Sequence, residues 1–124
     1  MTRYDPEKAP NPKEWLALDE WERTNLIIDY HDSADVELPN PQLHAIFHTI
    51  VENQIAMGEK IPARALRRLM KEGLERHEAI HAIGSVLGEQ IYNTMAGSSS
   101  SVDVNEQYVR KLKSLTAEGW LNSR

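Results

Sequence analysis

The chain reads as an all-α protein, a single-domain bundle of five or six helices. Three observations predict this. No stretch alternates apolar and polar residues with period two for long enough to build a sheet; Val102-Asp103-Val104 comes nearest and is too short. Helix-start signals recur, at Asn11-Pro12, Asn40-Pro41 and Ile61-Pro62. Apolar residues recur at spacings of three and four, as in Ile80, Ile83, Leu87 and Ile91.

In chain order, residues 1–11 carry Pro6 and Pro10 and little apolar content, which predicts an extended arm. Asn11 is placed to cap, and Pro12 suits a first helical position because no N–H bond is needed there. Trp15, Leu16 and Leu18 give that short helix its apolar face. Asp19 with Glu22 three residues on has capping-box spacing and predicts a helix to about His31. Trp21, Leu26, Ile28 and Tyr30 are its packing candidates, and Asp32 to Pro39 breaks the period. Pro41 to about Met57 is the next helix, with Gly58 as its left-handed stop. Its expected core face is Leu43, Ile46, Phe47, Ile50, Val51 and Met57. Ile61-Pro62 opens a short basic helix that Gly73 ends, and a longer helix runs from about Leu74 to Met95. These segments, 12–95, form the expected bundle core. Ala96 to Val102 reads as a Ser-rich linker. Asp103 restarts a helix with Tyr108, Leu112 and Leu115 on one face, so 103–124 is a C-terminal helix and tail. That helix either folds back on its own bundle or docks on a second copy of the chain as a homodimer.

Composition narrows the function. In 124 residues, 14 Lys+Arg stand against 19 Asp+Glu, a net charge of −5. That balance speaks against a nucleic-acid partner, whose phosphates call for a basic surface, and against an anionic membrane surface. No apolar run approaches the roughly 20 residues that span a bilayer. No secretory leader is visible, so cytoplasmic residence is the default expectation. With no cysteine, disulfides, thiolate metal sites and cysteine catalysis are excluded.

The chemistry lies in the histidines. His44 and His48 are four apart on one predicted helix, and Glu52 is four further on; the three share one edge bordering the apolar face. Gln54 lies nearer the middle of that face. His77 and His81 repeat the spacing on the next long helix, and Gly84 and Gly88 continue their stripe. A glycine inside a helix costs about 1 kcal/mol against alanine, a cost that close approach of another backbone offsets. The two helices are therefore expected side by side with their histidine pairs converging. Neutral imidazoles at this spacing suit a transition metal, zinc, iron, manganese or nickel, with Glu52 as a carboxylate ligand. His44, His48, Glu52, His77 and His81 are the candidate metal ligands. The fifth histidine, His31, reads only as a helix end. The other reading of the same residues is a non-catalytic interaction or structural module, its histidines in a polar network between helices. Neither reading names a reaction or a small-molecule ligand.

Two motifs bear on this. His77-Glu78-Ala79-Ile80-His81 spells the zinc-protease pattern H-E-x-x-H. Its usual context includes a substrate-aligning sheet, and Leu87 stands where an extended form has its third ligand. Glu78-x-x-His81 has the spacing of di-iron carboxylate bundles, but only one copy is present. The wider pattern, His44-x3-His48-x3-Glu52-x-Gln54, then His77-Glu78-x2-His81 and Leu87-x-Glu89, resembles a bacterial domain-of-unknown-function family of short helical proteins. The resemblance covers about Leu38 to Tyr92. It implies a small helical protein with no established activity, and a shared polar set of His44, His48, Glu52, Gln54, His77, Glu78, His81 and Glu89.

Other features read as structure. Arg64, Arg67, Arg68 and Lys71 make a basic stripe, by default a solvated helix face. Trp15 and Trp21 are expected to staple the first helices to the bundle, and Trp120 to pack in the core.

Overall fold

The computed structural model describes residues 3–33, 41–95, 97 and 101–123. It has seven helices among them and no strand: α1 (Pro12–Ala17), α2 (Glu20–Ser33), α3 (Pro41–Ala56), α4 (Lys60–Lys71), α5 (Arg76–Met95), α6 (Ser101–Ser114) and α7 (Ala117–Ser123). The all-α architecture is as expected, but the count exceeds five or six. The C-terminal part divides in two, because Leu115 and Thr116 are non-helical and Ala117 starts a new helix. Of the expected break from Asp32 to Pro39, Asp32 and Ser33 belong to α2, and positions 34–39, the Asn40 cap and the linker positions Ala96 and Ser98–Ser100 lie outside the described residues. Ser101 and Val102, assigned to that linker, belong to α6.

The local signals explain where helices begin and end. Asn11 Oδ1 accepts from the Glu14 amide at 3.1 Å, and Pro12 takes the first helical position. Asp19 and Glu22 close a reciprocal box: the Glu22 amide donates to Asp19 Oδ1 at 2.8 Å and the Asp19 amide to Glu22 Oε1 at 3.1 Å. Gly58 has φ +76°, and the amides of Gly58 and Glu59 return to the Ile55 and Gln54 carbonyls at 3.0 Å each. This paired closure needs a left-handed residue, which glycine adopts without a Cβ penalty.

The layers are set by α3 and α5. α3 packs on α1 and α2 to one side and on α4 and α5 to the other, while α6 folds back on α5 and α4. One apolar cluster joins α3 to α6 around Leu69, Ile80, Ile83 and Leu112; a second joins Tyr4, Trp15, Ile27 and Ala45. Gly84 and Gly88 face α3 as expected. A Cβ on Gly84 would stand 3.9 Å from Phe47 Cβ, and one on Gly88 only 3.2 Å from Phe47 Cε2. Arg68 leaves the solvated stripe: its Nη2 donates to the Leu112 and Leu115 carbonyls at 2.8 and 2.7 Å and ties off the end of α6.

Three expectations fail here for physical reasons. The buried face of α3 is Ala45, His48, Thr49, Val51 and Glu52, whereas Leu43 and Ile46 are each 45% exposed and Met57 59%. Val51 is buried as expected, but the buried face is shifted toward His48 and Glu52, which meet Tyr4 and Arg76 from outside this helix. The arm, expected to be extended, turns where the Lys8 amide donates to the Asp5 carbonyl at 3.1 Å, and it is packed: Tyr4 is 4% exposed and Pro6 fully buried. Trp21, expected as a staple, is 72% exposed, while Trp15 is fully buried and its Nε1 donates to Asn53 Oδ1 at 2.9 Å. Trp15→Ala is therefore expected to cost about 3–5 kcal/mol in denaturant unfolding, and Trp21→Ser less than about 0.5 kcal/mol. Similar costs at the two sites would overturn this assignment.

Candidate metal centre

All five histidines gather where α2, α3 and α5 meet. Neighbouring ring centroids lie 4.1–6.1 Å apart. The i, i+4 spacing on α3 and α5 puts each pair on one helix edge, and the two helices pack side by side, most tightly where Phe47 meets Gly88. α2 delivers His31 from the third side.

Four of these residues, His31, His44, His48 and His81, have ligand atoms that all lie within 4.8 Å of one another, close enough to hold a metal ion. At that outer separation a donor stands about 2.9 Å from the centre, whereas bound imidazole nitrogen sits about 2.0–2.1 Å away. Holding an ion therefore requires the outermost donors to move inward by about 0.8–0.9 Å. One pair is hydrogen-bonded: with its proton on Nδ1, His31 accepts at Nε2 from His44 Nε2–H at 3.2 Å, so an ion at this spacing takes the place of that proton, which moves to His44 Nδ1 or is released.

The tautomers follow from the partners. A carbonyl only accepts, so His31 Nδ1–H donates to the Ile27 carbonyl at 2.8 Å. The neutral ring then has its lone pair on Nε2, facing the cluster. A phenol has a single proton. Tyr4 O–H gives it to Glu52 Oε2, so its oxygen accepts from His48 Nε2–H at 2.7 Å. That leaves the lone pair of His48 on Nδ1, which is buried without a hydrogen-bond partner among the described residues, as is Nε2 of both His77 and His81. Buried polar atoms are rarely left in that state, and metal coordination is one way of satisfying them.

Burial keeps the rings neutral. It pushes His81 down to about 3 and His44 to about 4, with the neighbouring histidines adding to the effect. His48 is driven well below its ordinary value by the same causes in the same order, and His77 is also lowered. Imidazoles must be neutral to bind metal, and the lowered values of His44, His48 and His81 favour that form at pH 7.

Two expected ligands stand elsewhere. Glu52 points into a buried ion pair: Arg76 Nη1 donates to its Oε2 at 2.7 Å and Arg76 Nη2 to its Oε1 at 2.8 Å. Both oxygens are taken, and its link to the cluster runs through Tyr4 and His48. His77 lies against His81, with ring centroids 4.1 Å apart, but outside the group of four. Its backbone amide donates to Glu7 Oε1 at 3.0 Å.

The remaining polar positions disperse. Glu78, the base of the H-E-x-x-H pattern, accepts from Trp120 Nε1 at 2.7 Å. Gln54 accepts from Tyr108 O–H at 2.8 Å, and Glu89 pairs with Lys111 at the surface. Sequence reasoning missed His31 and Tyr4. Nothing in the local pattern marks Tyr4; for His31, the only signal was that it completes the histidine count.

A cavity of about 250 Å³ opens beside the cluster, lined by His44, His48, His81, Phe47, Ile80 and Trp120 among others. It reaches three of the four grouped imidazoles from one side. No helix among the described residues is long and apolar enough to cross a membrane. Compared with protein-family models, curated proteins and solved structures, the chain matches none.

Proposed function

We propose that this is a metal-binding protein in which His31, His44, His48 and His81 hold one transition-metal ion between α2, α3 and α5. The observation that carries the reading is the convergence of four imidazoles, with His48 Nδ1 and His81 Nε2 buried and without hydrogen-bond partners among the described residues. An all-nitrogen set suits zinc, iron or nickel; manganese prefers carboxylate oxygen, which Glu52 does not offer here. Tyr4 and Glu52 orient His48 and fix its tautomer, the role that outer hydrogen bonds play around metal-ligating histidines. Four neutral ligands leave the charge of a divalent ion uncompensated. The adjoining cavity gives a small anion or a hydroxide room to complete the set.

The test is elemental analysis of untagged protein, followed by titration with zinc, nickel and iron(II). One ion per chain is expected. Replacing His31 or His81 by Ala should abolish stoichiometric binding. Tyr4→Phe, which keeps all four ligands, should weaken affinity about 10–100-fold. Absence of metal after purification together with no uptake on titration would refute the proposal and leave the histidines as a structural network.

A further inference from the structure

A second cavity, about 500 Å³ in volume, lies away from the histidines between the start of α4, the second half of α5 and α6. Its walls are mixed: Ile61, Pro62, Leu87, Ile91 and Val109 are apolar, and Asn105 is among the polar residues that line it. Gln90 lines it and is 1% exposed, yet neither Oε1 nor Nε2 has a hydrogen-bond partner among the described residues. An unpaired buried carboxamide is destabilising, and leucine at this position would fill similar volume without that cost. A second polar group stands on the same wall. Tyr108 donates to Gln54 Oε1, and burial pushes its phenol up to about 12, so it keeps its proton. Glu59 and Lys60, also lining the cavity, have opposite charges and select for neither sign.

We propose that this cavity binds a small, uncharged, planar molecule with an amide edge, a lactam, carboxamide or nucleobase, which pairs with the Gln90 side chain. A carboxamide presents an N–H donor beside a C=O acceptor, so an edge presenting acceptor beside donor completes two hydrogen bonds at once. Both amide atoms are buried as the side chain stands, so pairing requires the carboxamide to turn its edge toward the cavity, which its broad terminal torsion permits. The volume falls within the usual range for small-molecule sites, and apolar walls around a few polar groups are their usual make-up. The proposal does not depend on metal at the histidines.

The experiment titrates the full chain with uracil, with nicotinamide and with benzene as a flat hydrocarbon lacking the edge, following NMR shifts and heat. Binding of at least one amide compound is expected, with a shift of the Gln90 side-chain NH2 resonance and affinity at least tenfold above that of benzene. Gln90→Leu should raise the melting temperature by about 4 °C and reduce amide binding tenfold or more. The proposal is overturned if neither amide compound binds. It is equally overturned if benzene binds as well as they do, or if Gln90→Leu lowers the melting temperature, since the carboxamide would then have partners of its own.

Discussion

Arg76→Met is expected to lower the unfolding free energy by about 3–5 kcal/mol, the cost of leaving a buried charge without its partner. Glu52 is fully buried and the Arg76 side chain is 4% exposed, so water does not reach the orphaned carboxylate. Arg76 Nη1 also donates to the Pro6 carbonyl at 2.9 Å, so the substitution releases the arm that carries Tyr4. The double variant Glu52→Met with Arg76→Met should recover most of the loss, because no charge then remains buried and methionine fills similar volume. Urea unfolding of the wild type, both single variants and the double variant closes the cycle. A cost below 1 kcal/mol for Arg76→Met would mean that the pair is hydrated in solution and the buried network is wrong.

The second large effect is acid lability of the metal-free protein. A histidine in the unfolded chain titrates near 6.5, while His44 and His81 titrate at about 4 and about 3 in the fold. Below pH 6.5 the unfolded chain thus binds protons that the native state refuses, and stability falls as pH falls. The contribution is complete above about 6.5, and these two residues exhaust it by about pH 3. Each unit of separation corresponds to about 1.4 kcal/mol. His81 is mostly buried and supplies the larger part; solvent screening discounts His44, which is about half buried. A net loss on the order of a few kcal/mol between pH 7 and 4 is expected, measured by denaturant midpoints in metal-free buffer. Flat stability across that interval would contradict it. For the proposed site, the lowered values of His44 and His81 mean that protons would compete with an ion only at lower pH than they do at free imidazole.

Much of this was legible from sequence because it is local. Asn11, the Asp19–Glu22 box and the glycine stops at 58 and 73 act within five residues of themselves, and the structure uses each of them. The edge-on pairing of His44 with His48 and of His77 with His81 is likewise a property of one helix. What escaped was decided at long range. The inward turn of the polar side of α3 depends on Arg76, 24 residues on from Glu52, and on Tyr4, 48 residues before it. Apolar periodicity on α3 alone cannot register either partner. His31 was set aside for the same reason: its neighbours come from α3 and α5, and its own helix shows nothing except an imidazole near the end.

The hydrogen bond from Arg76 to the Pro6 carbonyl spans 70 positions of chain, and the one between Tyr4 and His48 spans 44. No continuous fragment shorter than residues 4–81 therefore holds the whole arrangement. A peptide copying α3 keeps the His-x3-His spacing but has neither the third helix nor the phenol that sets the His48 tautomer. Closing such separations is slow compared with winding a helix. An ion binding among these histidines would therefore read an arrangement that only the assembled helices supply.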